Sequence, residues 1–325
     1  MILTNEQLRT TISGAAEIVE RDGKLVTYRY GKYVREHVYP EGDRFHGAMF
    51  HTSGILSRFV TDSENLAFTW ISNPAGGGHT FDVWADGVMY AHTGCGKGTD
   101  TLCVKLPAGK KTVEIYFPHH STGQIYDVTL DDGACFEAAA PRKYKFLFIG
   151  DSITHGSTSS YASMTYAHQV ARMLDAEVVN QGIGGERFNP RAVDDQMDFY
   201  QPDLVSVAYG TNDWSGTTRG RLVGCCNGHF ARLRDKYPNV PIVAILPLWR
   251  ADKSRVTGVG TFEDMRTIIK EAAARFDVTV VDGMTLVPNV ASFFADGYLH
   301  PNALGFSFYA ENLLSRTYFS FAKEK

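Results

Sequence analysis

The sequence has no apolar run near the roughly 20 residues that cross a bilayer, so no membrane span is expected. Cysteine is scarce. Cys95, Cys103, Cys135, Cys225 and Cys226 form no metal-ligand spacing, and their odd number fits a reducing compartment. An excess of either charge is also missing: 32 Lys and Arg stand against 36 Asp and Glu, for a formal net charge of −4. That balance argues against nucleic acid or an anionic membrane as the main partner. The opening Met1-Ile-Leu-Thr-Asn-Glu-Gln has neither the basic start nor the apolar core of a secretory signal, so a cytoplasmic address is expected. Repeats and low-complexity tracts are lacking too. What is there, 44% hydrophobic and 21% charged residues over 325 positions, suits a soluble chain too long for one ordinary core. Two domains are expected, over residues 1–140 and 141–325.

The first part reads as β-rich. Leu66-Ala-Phe68-Thr-Trp70-Ile71 and Phe81-Asp-Val83-Trp84 alternate as half-buried strands do. Asp86-Gly87 predicts a tight hairpin, because both positions tolerate positive φ. Asp132-Gly133 predicts a second, between 125–130 and 135–137, and Pro107–Lys110 a longer turn between 102–106 and 112–117. Short strands with frequent turns point to a jelly-roll-like β-sandwich. Residues 136–143 read as a linker.

Beyond it, strand and helix alternate. Apolar runs at 146–149, 178–179, 204–208, 242–246 and 278–281 are candidate parallel strands. Phe262, Met265, Ile268, Ile269, Ala272 and Phe276 form one helical stripe, which Thr261 and Asp264 could cap. Phe306, Tyr309, Ala310, Leu313, Leu314 and Tyr318 form another. This alternation implies a three-layer α/β domain with a parallel sheet. Its first strand, Phe146–Ile149, runs into Gly150-Asp151-Ser152, a sharp exit that delivers a serine to the carboxyl edge of the sheet, where such folds bind ligands.

Three later segments join that serine: Asn180-Gln-Gly182-Ile-Gly184-Gly185-Glu186, Tyr209-Gly210-Thr211-Asn212-Asp213, and Asp296-Gly297-Tyr298-Leu299-His300-Pro301-Asn302. Together, over about residues 144–320 and in this order, they resemble the four signature blocks of the SGNH, or GDSL-type, esterases and acylhydrolases. The β-rich part is similar to the N-terminal β-domain of some two-domain members. The resemblance implies a flavodoxin-like α/β/α hydrolase domain with Ser152 as nucleophile and His300 as its base. It assigns the oxyanion hole to the backbone N–H groups of Ser152 and Gly185 and the side-chain amide of Asn212. Ester chemistry needs such parts, since an unassisted hydroxyl is a poor nucleophile and the developing oxyanion must find donors.

One departure stands out. Members of the family usually carry the triad acid three residues before the histidine, where this chain has Gly297; Asp296 stands four before. Asp296 is the candidate acid, with Asp282 or a backbone carbonyl as alternatives and a plain Asp-Gly turn as the competing reading. Asp151 and Asp213 read as caps or scaffolding, Asn180 as a brace for the glycine loop, and the remaining histidines as structural. Tyr209, Trp214, Trp249 and Arg250 follow candidate strands and could line the cleft or pack in the core. The glycine loop lacks phosphate-binding spacing, and His119-His120 gives no metal set, so no cofactor is expected. The expected reaction is hydrolysis of a small acyl ester, such as an acetyl group, on a carbohydrate or other polar metabolite. An acyltransferase and a non-catalytic sugar-binding protein are the alternatives.

Overall fold

The computed structural model describes residues 1–74, 79–94, 96–197 and 200–315. Cys95 and Tyr318 lie outside the described residues. The strands between Ile12 and Ala138 are antiparallel and form six-stranded, three-stranded and two-stranded sheets. The two larger sheets face each other across one core. Phe68, Trp70, Val104 and Ile125 come from the three-stranded sheet, and Phe59, Phe81, Val83, Val113 and Ile115 from the six-stranded one. Alternate residues of each strand supply this core, as the pleat requires.

The Asp86-Gly87 hairpin forms as expected: Asp86 has φ 45° and Gly87 φ 81°, joining Thr80–Ala85 to Val88–Gly94. The other two turns do different work. Strand Gly98–Lys105 pairs with Asn65–Pro74, whereas Lys111–Tyr116 pairs with Leu56–Thr61 and Thr80–Ala85. The Pro107–Lys110 turn thus crosses from one sheet to the other. Beyond Asp132-Gly133, Glu137–Ala138 pairs with Val60 and Phe59, not with Ser121–Leu130. Part of the expected linker is therefore an edge strand. Turn chemistry specifies a reversal of direction but not the sheet the next strand joins.

From Tyr144 onward the sheet is parallel. Its strands are β1 (Tyr144–Gly150), β2 (Ala176–Gly182), β3 (Leu204–Ala208), β4 (Ile242–Ile245) and β5 (Thr279–Val281), in the order β2-β1-β3-β4-β5. Alternation along β1 sends Phe146 and Phe148 to one face and Leu147 and Ile149 to the other. Helices α4 (Arg219–Lys236) and α5 (Phe262–Arg275) cover the Leu147 face, and α2 (Tyr166–Met173) and α6 (Ala303–Ser315) the Phe146 face. The Thr261 and Asp264 capping box at the start of α5 forms as the sequence predicts. The strand order reverses at β1, so the carboxyl ends of β1, β2 and β3 open a crevice together. The short helices α1 (Ser152–His155) and α3 (Thr211–Gly216) begin there.

Candidate active site

Ser152 is the first residue of α1, and the Asp151 carboxylate caps that helix by accepting the Ile153 N–H at 3.0 Å. Burial, with Asp213 nearby, pushes the Asp151 carboxyl up to about 7. Gly182 at the end of β2 lies against the α1 backbone so closely that a Cβ there would meet the peptide of Thr154 and His155. This packing is why a glycine is needed, and it brings the glycine loop beside the serine.

Ser152 Oγ lies 2.9 Å from His300 Nε2, and His300 Nδ1 lies 2.7 Å from Asp296 Oδ2. Asp296 is thus the imidazole's neighbour despite its displaced position. Gly297 turns at φ 63°, and the backbone N–H groups of Tyr298, Leu299 and His300 all converge on Asp296 Oδ1, at 2.8, 2.8 and 3.1 Å. The tight turn absorbs the additional residue. Partial burial works against the Asp296 charge, but these N–H groups and the imidazole outweigh it and hold the carboxyl at about 2. An ionised Asp296 keeps the proton on Nδ1 and leaves Nε2 free to accept from the serine. Asp282 is elsewhere, paired with Arg266 at 2.8 Å and capping Met284.

The candidate oxyanion donors gather on the same edge. Gly185 has φ 84°, where a side chain would be strained. Among the described residues, no protein acceptor takes the N–H of Ser152 or of Gly185. The Asn212 amide donates one hydrogen to Glu186 O at 3.0 Å, which ties α3 to the glycine loop and leaves its second hydrogen available. Asp213 accepts the Phe188 N–H at 3.3 Å and burial pushes it up to about 6, consistent with scaffolding. Asn180 braces the loop as expected, donating to Thr154 O and Ser53 Oγ while accepting the Gly182 N–H.

Three of the four cleft candidates are in the interior. Tyr209 is 2%, Trp214 0% and Arg250 3% exposed. Trp214 donates to Gly260 O, and Arg250 is chelated by Asp252 while donating to Thr211 and the Tyr298 hydroxyl. A residue directly after a strand can turn into the core as readily as toward the crevice, and short sequence patterns do not separate the two. Trp249 is half-buried against Phe294.

The β-rich half supplies neighbours that no motif announced. Arg44 donates to Gly185 O at 3.2 Å and stacks on Phe45. His120 stacks on His155 at 4.1 Å and lies 2.7 Å from Ser157 Oγ. His51 Nδ1 lies 3.3 Å from His155 Nε2. Ring nitrogens of His51, His120 and His155 come within 4.8 Å of one another, the spacing of a metal set. The hydrogen bonding disfavours that role. His155 Nδ1 already accepts the Gly184 N–H at 3.2 Å, so the neutral ring carries its proton on Nε2, the nitrogen that would have to ligate. The buried Arg29 cation nearby opposes a second positive charge. A cleft of about 620 Å³ lies between residues 21–28 and the three-stranded sheet; it reaches His51 but is not lined by Ser152.

No curated protein matches the chain in sequence. In fold, 96% of the chain is similar to 94% of the salicylyl-acyltransferase SsfX3 from a tetracycline biosynthetic pathway, with TM-score 0.81 and 24% identity. Ninety-nine per cent is similar to 97% of a family two carbohydrate esterase from Cellvibrio japonicus, with TM-score 0.70 and 17% identity. A family two carbohydrate esterase from Clostridium thermocellum, solved with cellohexaose, is similar over 83% of this chain and 94% of its own, with TM-score 0.64 and 19% identity. Residues 148–307 match the model of the GDSL-like lipase/acylhydrolase family and contain Ser152, Gly185, Asn212, Asp296 and His300. Over those residues the α/β part of this chain is similar to that family.

Proposed function

We propose that the chain is a serine esterase that removes a small acyl group, such as acetyl, from a carbohydrate or another polar alcohol. The observation that carries this reading is the continuous line from Ser152 Oγ to His300 Nε2 to Asp296, at 2.9 and 2.7 Å. His300 Nε2 takes the hydroxyl proton as Oγ bonds to the ester carbonyl carbon. The carbonyl oxygen becomes an oxyanion facing the N–H groups of Ser152 and Gly185 and the Asn212 amide. The tetrahedral centre collapses, the carbon–alkoxy bond breaks, and the proton on Nε2 goes to the departing alcohol. Water then repeats the sequence on the acyl-serine and releases the acid. Asp296 steadies the imidazolium by its charge and keeps its own proton off.

The substrate class rests on two supports. The sequence offers no broad apolar lid segment for a long acyl chain, and carbohydrate esterases are among the proteins of similar fold. A panel of nitrophenyl esters and acetylated sugars, given to wild type and Ser152→Ala, tests the reading. Turnover of short-chain esters by wild type alone is the expected result; equal turnover by both proteins would remove Ser152 from the mechanism. A second reading, acyl transfer to an alcohol, is favoured by the likeness to SsfX3 along nearly the whole chain. Partition of the acyl group between water and added acceptor alcohols separates the two. The unpaired Cys103, Cys135, Cys225 and Cys226 support a reducing, cytoplasmic setting.

A further inference from the structure

Strand β2 is the outer strand of the parallel sheet, so every second carbonyl along it leaves the sheet with no strand to receive it. Ile183 N–H bonds to Gly150 O on the inner side, which turns the Asn180 and Gly182 carbonyls outward. Both are taken by a single group from the β-rich half. Arg29 Nη1 donates to Asn180 O at 2.5 Å and to Gly182 O at 3.0 Å. The rest of the guanidinium is also committed, Nε to His51 O at 2.6 Å and Nη2 to Ala48 O at 2.8 Å. Arg29 is fully buried and, among the described residues, has no carboxylate partner. A buried cation with carbonyls and the Tyr30 ring beside it but no carboxylate is costly, and it persists here where those carbonyls lead into the glycine loop.

The far end of the loop is held by imidazoles. His155 Nδ1 accepts the Gly184 N–H, and its Nε2 proton is directed at His51 Nδ1. The His51 carbonyl in turn binds Arg29. Tyr30 adds a hydroxyl bond to Gln181 O at 2.5 Å. The stretch from Asn180 to Gly184 is thus fastened at consecutive points just before Gly185.

We propose that Arg29, Tyr30, His51 and His155 are positioning residues that fix the Gly185 N–H for the oxyanion, making the β-rich half part of the catalytic apparatus. This rests on the esterase reading above, in which Gly185 serves as a donor. The donor's value depends on placement, and a displacement of about 1 Å in such a group costs on the order of 10²-fold in rate.

The test uses the full chain and nitrophenyl acetate, with active serine counted by fluorophosphonate titration to its end point and thermal unfolding followed in parallel. His155→Phe removes the acceptor for Gly184; His155→Gln restores a carbonyl acceptor. The expected result is a kcat per titrated serine lowered about 10–100-fold in His155→Phe, with KM within about threefold of wild type, and recovery of most of that loss in His155→Gln. Tyr30→Phe deletes one hydroxyl with little risk to folding and is expected to lower kcat about 3–10-fold at unchanged KM. A merely structural role would lower the unfolding temperature and the titratable fraction while leaving kcat per serine as in wild type. That outcome, in either His155→Phe or Tyr30→Phe, overturns the proposal. Wild type with neither turnover nor a titratable serine would instead bring down the esterase reading beneath it.

Discussion

The loop Asp296–Asn302 and the seam between the β-rich half and the glycine loop each place a histidine close to Ser152, in opposite surroundings. His300 is partly exposed, with an ionised carboxylate on Nδ1 and a hydroxyl on Nε2. His155 is 1% exposed, accepts a backbone N–H on Nδ1, and lies in the field of His120 and Arg29. Burial first, and then those neighbours, holds the His155 imidazole far below its ordinary range. The first environment sets the ring between a hydroxyl and a carboxylate; the second keeps the ring neutral and uses it as an acceptor. Residue type is the same in both places, and the partners decide the chemistry.

The sharpest way to break this comparison is to remove the reacting groups. Ser152→Ala and His300→Ala should each lower kcat by on the order of 10⁴–10⁶ in steady-state assays, with unfolding temperatures near wild type. A residual rate within tenfold of wild type would place the chemistry elsewhere. Asp296→Asn should be milder in one respect, because an amide oxygen can still accept the N–H groups of Tyr298, Leu299 and His300. It should nevertheless lower kcat by about 10²–10⁴ through loss of charge and tautomer control, read from single-turnover acylation. Asn212→Ala should cost about 10²–10³ in kcat with KM little changed, the mark of a donor used mainly in the transition state.

Protons sharpen the same contrast through stability. Burial holds His51 at about 3 and His120 at about 4, with His119 and His155 also well below 6.5, the value of an unfolded chain. Between about pH 3 and 6.5 the unfolded chain therefore binds more protons than the folded one, and stability falls as pH drops through that window. Asp151 and Asp213, raised to about 7 and about 6, act in the opposite sense and regain stability as pH falls. Glu186 and Asp194 are raised as well, but His79, His168 and His229 are also lowered, so seven imidazoles stand against four carboxyls and the urea midpoint should be lower at pH 5.5 than at pH 7.5. An equal or higher midpoint at pH 5.5 would mean that the seam histidines accept protons in the folded state. Asp296, held at about 2 against 3.8, adds stability above about pH 4 that is lost only as pH falls toward 2.

What could be read from the sequence follows the range of the interactions. Ser152, Gly185, Asn212 and His300 stood out because four short blocks in order resemble the SGNH, or GDSL-type, signatures, and the fold brings those blocks to one sheet edge. Asp296 was legible only as a candidate, because the turn that brings it to His300 depends on three backbone N–H groups whose direction no spacing reveals. Tyr209, Trp214 and Arg250 were ambiguous for a related reason, since the residue after a strand has two faces to choose between. Arg29, His51 and His120 were invisible. Arg29 and His51 meet the glycine loop and α1 across separations of more than 100 residues, 153 for Arg29 and Gly182, and His120 meets Ser157 across 37, and a lone arginine or histidine in a β-rich segment carries no pattern. In the β-rich half the strands were legible and their partners were not, because alternation fixes a face but not a neighbour.

In the proposed mechanism Ser152 becomes acylated with His300 as its base. Rapid quenching of the enzyme with a slowly hydrolysed nitrophenyl ester, followed by peptide mass mapping, tests it directly. One acyl group is expected on the peptide containing Ser152 in wild type and none in His300→Ala. Turnover without an adduct, or an acyl group on another residue, would contradict it.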